Sequence, residues 1–369
     1  MVPGGSGPDT AIPTPTTTSK SIGRLVNPKL LLDLPADPGP RHNGGAITIG
    51  PDNNLYIPIG DTDKVSGTTT QSQNNDQLPA DGTGGILRIT QDGVPVIDPS
   101  AGTYILGNDY PLNLYYAYGI RNSFGIDFDP VTGNLWDSEN GPGYGDEINL
   151  VKPGFNSGWG KVMGVWERGG GDPREEGSII APEQPDSLVD FGGRGHYHSP
   201  QLTWLYTVGP TAIKFLDSDR YGAEFKSDML VGDIHNGNLY HFKLNADRTE
   251  IVIPEPVDGK VVETDDEADA ISFATGFGGI SDIEVSPFDG YMYVVSLGQG
   301  KIFKILSTGE GDVTADGGDD IPSPTVDDEE EAVPEEAEED VDDDDEDNDN
   351  DNSSNNEDGD GDQDNEDNN

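Results

Sequence analysis

The sequence contains no cysteine among its 369 residues. This absence excludes disulfides, thiolate metal sites and a cysteine nucleophile, and it leaves the cellular compartment open. No apolar run approaches the ~20 residues that a membrane-spanning helix requires. The N-terminal segment also lacks the basic start and apolar stretch of a secretion signal. We therefore expect a chain without a membrane span or a thiol-based site.

Basic residues are scarce: the chain has 20 Lys and Arg against 71 Asp and Glu, a net charge of −51. Thirty of the acidic residues and none of the basic ones lie in residues 309–369. Such a segment repels itself and has little apolar surface to bury, so we predict a disordered acidic tail. The first 308 residues remain acidic, with 41 acids against 20 bases. This balance argues against nucleic acid or an anionic membrane as a partner.

Composition also predicts the domain boundaries. Pro, Thr and Gly dominate residues 1–20, which indicates a linker and suggests that the chain begins within a longer protein. The last predicted strand, KIFKIL, covers 301–306 and directly precedes the acidic tail. We therefore expect one folded domain over residues 21–308.

Short apolar runs with a turn beside them recur along this domain, and Gly (50 residues) and Pro (28 residues) are abundant. Each run has β-branched or aromatic residues around a Pro-Asp, Asp-Gly or Asn-Gly turn, which predicts hairpins. The runs are 47–60, 84–97, 125–136, 229–244 and 283–297. The turns at Asp52, Asp92 and Thr132 lie 40 residues apart. This period predicts an all-β fold, a β-propeller of five to six blades with no helix longer than one turn. A β-sandwich with irregular loops is the alternative.

Four segments carry a resemblance to a known family. The longest, residues 118–159, combines an Arg-Asn pair, a Gly-Pro turn, a Gly-Asp-Glu cluster and a Trp-bearing Gly loop. The others are 42–61 (HNGGAITIGPDNNLYIPIGD), 206–215 and 278–295. Together they resemble the soluble, pyrroloquinoline quinone (PQQ)-dependent glucose dehydrogenases, also called glucose/sorbosone dehydrogenase-like proteins. The resemblance implies a six-bladed propeller, and the short stretch before His42 implies that it is incomplete at the N-terminus.

The resemblance implies catalytic roles for His42, Arg121 and Asn122. Oxidation of a sugar hemiacetal needs a base for the hydroxyl proton, and an imidazole, which titrates near pH ~6.5, suits that task. The resemblance makes His42 this base. It places Arg121 and Asn122 against the reactive carbonyls of the quinone, where fixed donors hold developing negative charge. From the residues alone, the alternatives are a solvated loop histidine and an arginine paired with Asp127 or Glu139.

Two calcium sites are implied by the same resemblance. The backbone carbonyls of Gly141 and Pro142 match an active-site Ca²⁺ site, because a hard cation accepts carbonyl oxygens and a Gly-Pro turn exposes two in succession. An ordinary turn is the alternative. Glu147 matches a carboxylate ligand of a second, structural Ca²⁺, and Ser157 stands where the family has a tyrosine that contributes to that site.

The match fails where the family holds the carboxylates of PQQ. Burying three carboxylates requires cations, and the family uses one Lys and two Arg. These positions are occupied here by His235, Gly279 and Ser281. His235 is therefore the residue of this set that we retain as a cofactor contact. Charge from elsewhere, at Arg41, Arg194, Lys214 or Arg220, has no place in the site that the sequence specifies.

Two functions follow. The first is a sugar dehydrogenase that oxidises an aldose hydroxyl with a PQQ-type quinone and Ca²⁺, extracellular or periplasmic as the family resemblance implies. The second is a catalytically degenerate propeller that serves as a secreted or surface module and binds carbohydrate or protein. The retained set of His42, Arg121 and Asn122 favours the first, and the missing cations favour the second. Lactone or ester hydrolysis around a central Ca²⁺ is a third alternative, but no further acid/base pair supports it.

Overall fold

The structure, a computed structural model, describes residues 28–35, 39–63, 72–75 and 78–307. These residues form twenty β-strands, one α-helix and one short 3-10 helix, Leu112–Leu114. The predicted linker over 1–20 and the predicted acidic tail over 309–369 lie outside the described residues. The all-β prediction is confirmed for the described part of the domain.

The first sheet contains six strands, and a small hairpin stands beside it. The order in the sheet is β1 (Thr48–Ile49), β2 (Leu55–Ile59), β3 (Gly85–Ile89), β4 (Tyr115–Tyr118), β8 (Phe155–Asn156) and β11 (His196–Tyr197). The first four strands are antiparallel, whereas β8 joins both β4 and β11 in parallel. The hairpin pairs β9 (Val162–Met163) with β10 (Trp166–Glu167).

Three further sheets follow along the chain. The second has the order β16 (Val261–Val262), β12 (Leu202–Trp204), β7 (Asp146–Val151), β6 (Leu135–Glu139) and β5 (Ser123–Phe128). The third runs through β13 (Pro210–Phe215), β14 (Met229–Asp233), β15 (Leu239–Phe242) and β17 (Ser272–Ala274). The fourth contains β18 (Ile280–Val285), β19 (Met292–Ser296) and β20 (Lys301–Ile305).

Apolar side chains fill the interface between each sheet and the next. Alternation along β6 sends Leu135 toward the first sheet and Trp136 toward the third, because successive side chains of a strand point to opposite faces. Leu135 packs with Tyr56, Ile86 and Phe155, and Trp136 packs with Ile213, Val231 and Tyr240. Between the third and fourth sheets the buried residues include Leu230, Ile280, Ile283 and Val294. Sheets that pack side by side in chain order form the blades of a β-propeller.

The number of sheets differs from the sequence prediction. The described residues form four sheets of three or more strands rather than five to six blades. Short segments between the main hairpins instead supply β8 and β11 to the first sheet, and β12 and β16 to the second. The residues 84–97 form one strand and an isolated bridge, Ile89 to Pro95, whereas the other four runs form hairpins.

A helix longer than one turn is also present, contrary to the sequence prediction. The α-helix α1 spans Asp265–Ile271 and begins at a capping box, in which Thr264 and Glu267 bind each other's backbone N–H groups. Acidic residues fill its first turn, where they stabilise the positive end of the helix dipole. A Thr followed three residues later by Glu is the sequence signal for this helix start. None of the described helices has the length and apolarity to cross a membrane.

Candidate active site

A cavity of about 570 Å³ lies where the loops at one end of the sheets converge. Six of the seven predicted site residues line it: His42, Arg121, Asn122, Gly141, Pro142 and His235. Glu147 lies elsewhere, in a buried cluster of carboxylates. Each of the six comes from a loop that begins or ends at a strand, so that sheet packing brings residues distant in the sequence into one cavity.

His42 is held by a carboxylate that the sequence analysis assigned no role. Its Nδ1 lies 2.7 Å from Asp61 Oδ1, and the two side chains are 10% and 12% exposed. Asp61 also accepts the indole N–H of Trp159 at 2.7 Å and the backbone N–H of Asp63 at 2.9 Å. An ionised carboxylate only accepts hydrogen bonds, so Nδ1 carries the hydrogen and Nε2 keeps its lone pair. His42 therefore has the tautomer that a base requires.

Asp61 is ionised in this arrangement. Burial raises its pKa, but hydrogen bonds from His42 and Asp63 and the positive charge of Arg121 lower the pKa more, to below its ordinary value. Gly60 permits the close approach that builds the pair. A Cβ at Gly60 would meet the carbonyl oxygen of Arg121 at 2.5 Å and the Cβ of His42 at 2.8 Å. The backbone of His42 is left-handed, with φ 57°, a conformation found at functional positions more often than elsewhere.

Arg121 contacts backbone carbonyls and an indole ring. Its Nη1 donates to the carbonyls of Asn140 and Gly141, each at 3.1 Å, and its guanidinium carbon lies 5.3 Å from the centroid of Trp159. The carboxylate of Glu139 accepts the backbone N–H of Arg121 at 2.6 Å. The side chain is thus aimed along the cavity wall and supported by Trp159, the same residue that binds Asp61.

Asn122 belongs to a chain of amides across three loops. Its Nδ2 donates to Asn140 Oδ1 at 3.1 Å, and Asn140 Nδ2 donates to the carbonyl of Pro210 at 2.9 Å. The backbone closes the same contact, because Asn140 N–H donates to the carbonyl of Asn122. The Asn122 amide is therefore held in place by a neighbouring loop where it lines the cavity.

Asp146 fixes the Gly141–Pro142 turn. Its Oδ1 accepts the backbone N–H of Gly141 at 2.7 Å, and its Oδ2 accepts those of Val208 and Gly209 at 2.7 and 2.8 Å. Burial raises the pKa of Asp146 to about 6, although the three N–H groups oppose the shift. One buried carboxylate therefore ties together two loops of the cavity wall.

Glu147 lies with Glu139 and Asp137 on the face of β6 and β7 that packs toward the first sheet. Ser157 Oγ lies 2.7 Å from Glu139 Oε2 and 3.0 Å from Glu147 Oε2. One hydroxyl hydrogen serves one of these two oxygens, so the other carboxyl requires its own proton or a cation. Among the described residues, neither oxygen of Asp137 has a hydrogen-bond partner of good geometry, although Ser123 and Asn149 lie close enough to lower its pKa.

The pKa values of this cluster are all raised. Burial raises the pKa of Asp137 to about 7 and that of Glu147 to about 8. Burial and the negative charges of its two neighbours raise the pKa of Glu139 well above its ordinary value. No described group of three or more His, Cys, Asp and Glu side chains has the geometry of a metal site. Glu147 as a calcium ligand therefore stays a prediction, one that backbone and hydroxyl oxygens would have to complete.

A second cavity of about 580 Å³ adjoins the first and shares His42, Asn122, Phe124 and Thr211 with it. Ser281 and Lys214 line this second cavity, where Lys214 Nζ lies 3.0 Å from Glu284 Oε2. Arg194 and Arg220 bind the backbone carbonyls of Leu106 and Asp289 instead. Two arginines do reach the first cavity, Arg41 and Arg174.

Sheets packed side by side with a polar, loop-built cavity at the ends of their strands define a β-propeller with a ligand site. The chain belongs to the glucose / sorbosone dehydrogenase family, whose profile matches residues 16–304. This family is one of sugar-oxidising oxidoreductases. The predicted family resemblance is confirmed.

Characterised relatives are similar over part of their length. Quinoprotein glucose dehydrogenase B of Acinetobacter calcoaceticus is 34% identical over 167 residues, 42% of this chain and 33% of that protein. Aldose sugar dehydrogenase YliI of Escherichia coli K12 is 24% identical over 258 residues, 69% of this chain and 57% of that protein. A solved structure from Thermus thermophilus, described as an oxidoreductase (glucose dehydrogenase), has 27% identity and a TM-score of 0.50. That match covers 74% of this chain and 68% of the other.

Proposed function

We propose that the cavity oxidises the anomeric hydroxyl of an aldose, with a PQQ-type quinone as the hydride acceptor. The observation that carries this proposal is the His42–Asp61 pair, a base in the required tautomer on the wall of a cavity large enough for a small sugar and a planar cofactor. The quinone, when bound, supplies the acceptor for the hydride. The residues of the chain supply the base, the electrophilic support and the geometry.

His42 takes the hydroxyl proton at Nε2 while Nδ1–H stays bonded to Asp61. The imidazolium that forms lies beside the ionised carboxylate, which stabilises the new positive charge. Trp159 and the backbone N–H of Asp63 hold that carboxylate in place. The proton is therefore received by a ring whose orientation is already fixed.

Arg121 and Asn122 fit the carbonyl end of a quinone. A guanidinium presents five N–H donors in one plane, and Nη1 makes the bonds to Asn140 and Gly141, so the group can serve several oxygens at once. Asn122 has a second N–H in addition to the one that binds Asn140. Both residues line the cavity beside His42. They would hold negative charge that develops on the quinone oxygens.

The Gly141–Pro142 turn is our proposed site for the active-site Ca²⁺. The Gly141 carbonyl accepts Arg121 at 3.1 Å, and its second lone pair suits a hard cation. The nearby guanidinium weakens such a site by charge repulsion. We propose the second Ca²⁺ at Glu147, because a cation would neutralise its buried cluster. The same family relation is our ground for placing the protein outside the cytoplasm.

Asp61→Asn is expected to lower kcat on the order of 10²-fold with little change in KM, because the neutral amide no longer stabilises the imidazolium. The acidic limb of the pH–rate profile should move to lower pH. Asp228→Asn is the matched control, since Asp228 pairs with His241 at 2.8 Å away from the cavity. Equal kcat values for the two variants would argue against a role for Asp61 in the reaction.

The test of the proposed function is a dye-reduction assay on the chain supplied with PQQ and Ca²⁺. We expect reduction with aldoses and none with the matching alditols, which have no anomeric hydroxyl. Addition of a chelator should abolish the rate. No turnover with any aldose at saturating PQQ would instead support the binding-module alternative that the missing cations favour.

A further inference from the structure

The three positions that hold PQQ carboxylates in the family do not form a cationic site here. Of the three, His235 lines the first cavity and Ser281 lines the second. Gly279 has φ 83°, a conformation that L-residues rarely adopt, and a Cβ there would meet the carbonyl oxygen of Ile234 at 2.8 Å. An arginine at that position would therefore be strained. The backbone, and not the side chains alone, has diverged from a cofactor-anchoring arrangement.

Arg174 reaches the first cavity from the long loop between β10 and β11. Its Nε and Nη2 bind the two carboxylate oxygens of Asp172 at 2.9 and 2.7 Å, and its Nη1 donates to the carbonyl of Gly143 at 3.4 Å. The contact with Gly143 places the guanidinium beside the Gly141–Pro142 turn. Arg174 is therefore oriented toward the cavity by Asp172 on one side and by the turn on the other.

Arg41 reaches the same cavity from the residue next to His42. Its Nε donates to Asp63 Oδ2 at 2.9 Å. The side chains of Arg41 and Arg174 are 53% and 43% exposed, so each ion pair lies in solvent and contributes little to stability. A guanidinium has five N–H donors in a planar fork, which suits a second carboxylate without loss of the first.

The charge of the cavity wall is opposite to that of the chain. Three arginines and two histidines line it, whereas the single carboxylate of its lining, Asp146, is fully engaged by backbone N–H groups. The chain as a whole carries a net charge of −51. A cationic concavity in an acidic protein concentrates the field and selects anions. A neutral sugar alone would not require it.

We propose that Arg41 and Arg174 form a carboxylate-binding site in this cavity, in place of the cationic positions that the chain lacks. The ligand is a ring compound with at least one carboxylate. Two sources have this chemistry: the carboxylates of the quinone cofactor and the acid group of a hexuronate substrate. The inference rests on the proposed function for the identity of the cavity, but it concerns binding and not turnover.

The test is direct titration calorimetry of the full chain with PQQ, with glucuronate and with glucose, at low and at high salt. Arg41→Ala combined with Arg174→Ala is expected to raise the Kd of at least one carboxylated ligand about tenfold or more, because a charge-assisted bidentate pair is lost. Glucose binding should stay unchanged. The single variant Arg174→Lys should recover part of the affinity, since a point charge replaces a planar fork.

Lys226→Ala is the matched control, because Lys226 is an exposed cation paired with Asp219 far from the cavity. Weaker binding of PQQ in the double variant assigns the site to the cofactor, and weaker binding of glucuronate assigns it to the substrate. Wild-type Kd values for both ligands in the double variant, or no binding of either ligand to the wild type, would overturn the proposal. Carboxylate binding that depends on the arginines without any aldose oxidation would overturn the proposed function and not this site.

Discussion

His42→Ala is expected to lower kcat for aldose oxidation by about 10³- to 10⁴-fold, the range over which a positioned general base acts. Nε2 of His42 is the basic atom that Asp61 orients within the cavity, and alanine leaves water as the proton acceptor. The affinity for the quinone should change by less than about threefold, because Arg121 and Asn122 remain. Steady-state dye reduction and a separate quinone titration measure the two quantities.

His241→Ala is the matched control for this substitution. His241 Nε2 also lies 2.8 Å from a carboxylate, that of Asp228, but outside the cavity. The control should retain wild-type kcat, and any effect on folding would appear in both proteins. A kcat of His42→Ala within about tenfold of the wild type would assign proton transfer to another group.

The stability of the protein is expected to fall as pH rises from about 5 to about 8 when divalent cations are removed. Asp137 and Glu147 have raised pKa values of about 7 and about 8, whereas the unfolded chain gives values of about 4. Between these limits the folded state holds more protons than the unfolded state, so each group removes up to about 1.4 kcal/mol per pH unit. Their contribution is complete at pH values below about 4 and is lost as pH rises through the folded pKa.

Calcium should reverse this loss if Glu147 is a ligand, because a cation replaces the protons. Thermal unfolding at pH values from about 5 to about 8, with chelator or with Ca²⁺, measures both effects. Asp137→Asn should flatten the slope in chelator, since it removes one buried charge and gives N–H donors to Ser123 Oγ and Asn149 Oδ1, both of which lack a partner among the described residues. Asp269→Asn, on the exposed side of α1, is the control. A Tm that rises with pH in chelator would contradict this account.

The elements with strong local signals were predictable. The hairpins at Asp52 and Thr132 have turn residues between alternating apolar positions, and both are present. The blade count was not, because β8, β11, β12 and β16 are two or three residues long and join strands far away in the sequence. Segments this short have no periodicity of their own, and only tertiary pairing assigns them to a sheet.

The candidate site follows the same division. His42, Arg121 and Gly141 lie in motifs and were found from the sequence, whereas their supporting partners were not. Trp159 lies 98 residues from Asp61, and the link between them is a single hydrogen bond. Arg174 has no motif around it and enters the cavity through the path of a long loop. Contacts of this kind depend on the packing of the sheets, which a local pattern does not contain.

The most direct test of the account is a single turnover without oxygen. The chain is loaded with PQQ and Ca²⁺, unbound quinone is removed, and one equivalent of aldose is added while the absorbance spectrum is recorded. We predict conversion of the bound quinone to its reduced spectrum in the wild type, and conversion slower by about a hundredfold or more in His42→Ala. A quinone that binds but stays oxidised in the wild type would contradict the central claim that this cavity is a sugar dehydrogenase site.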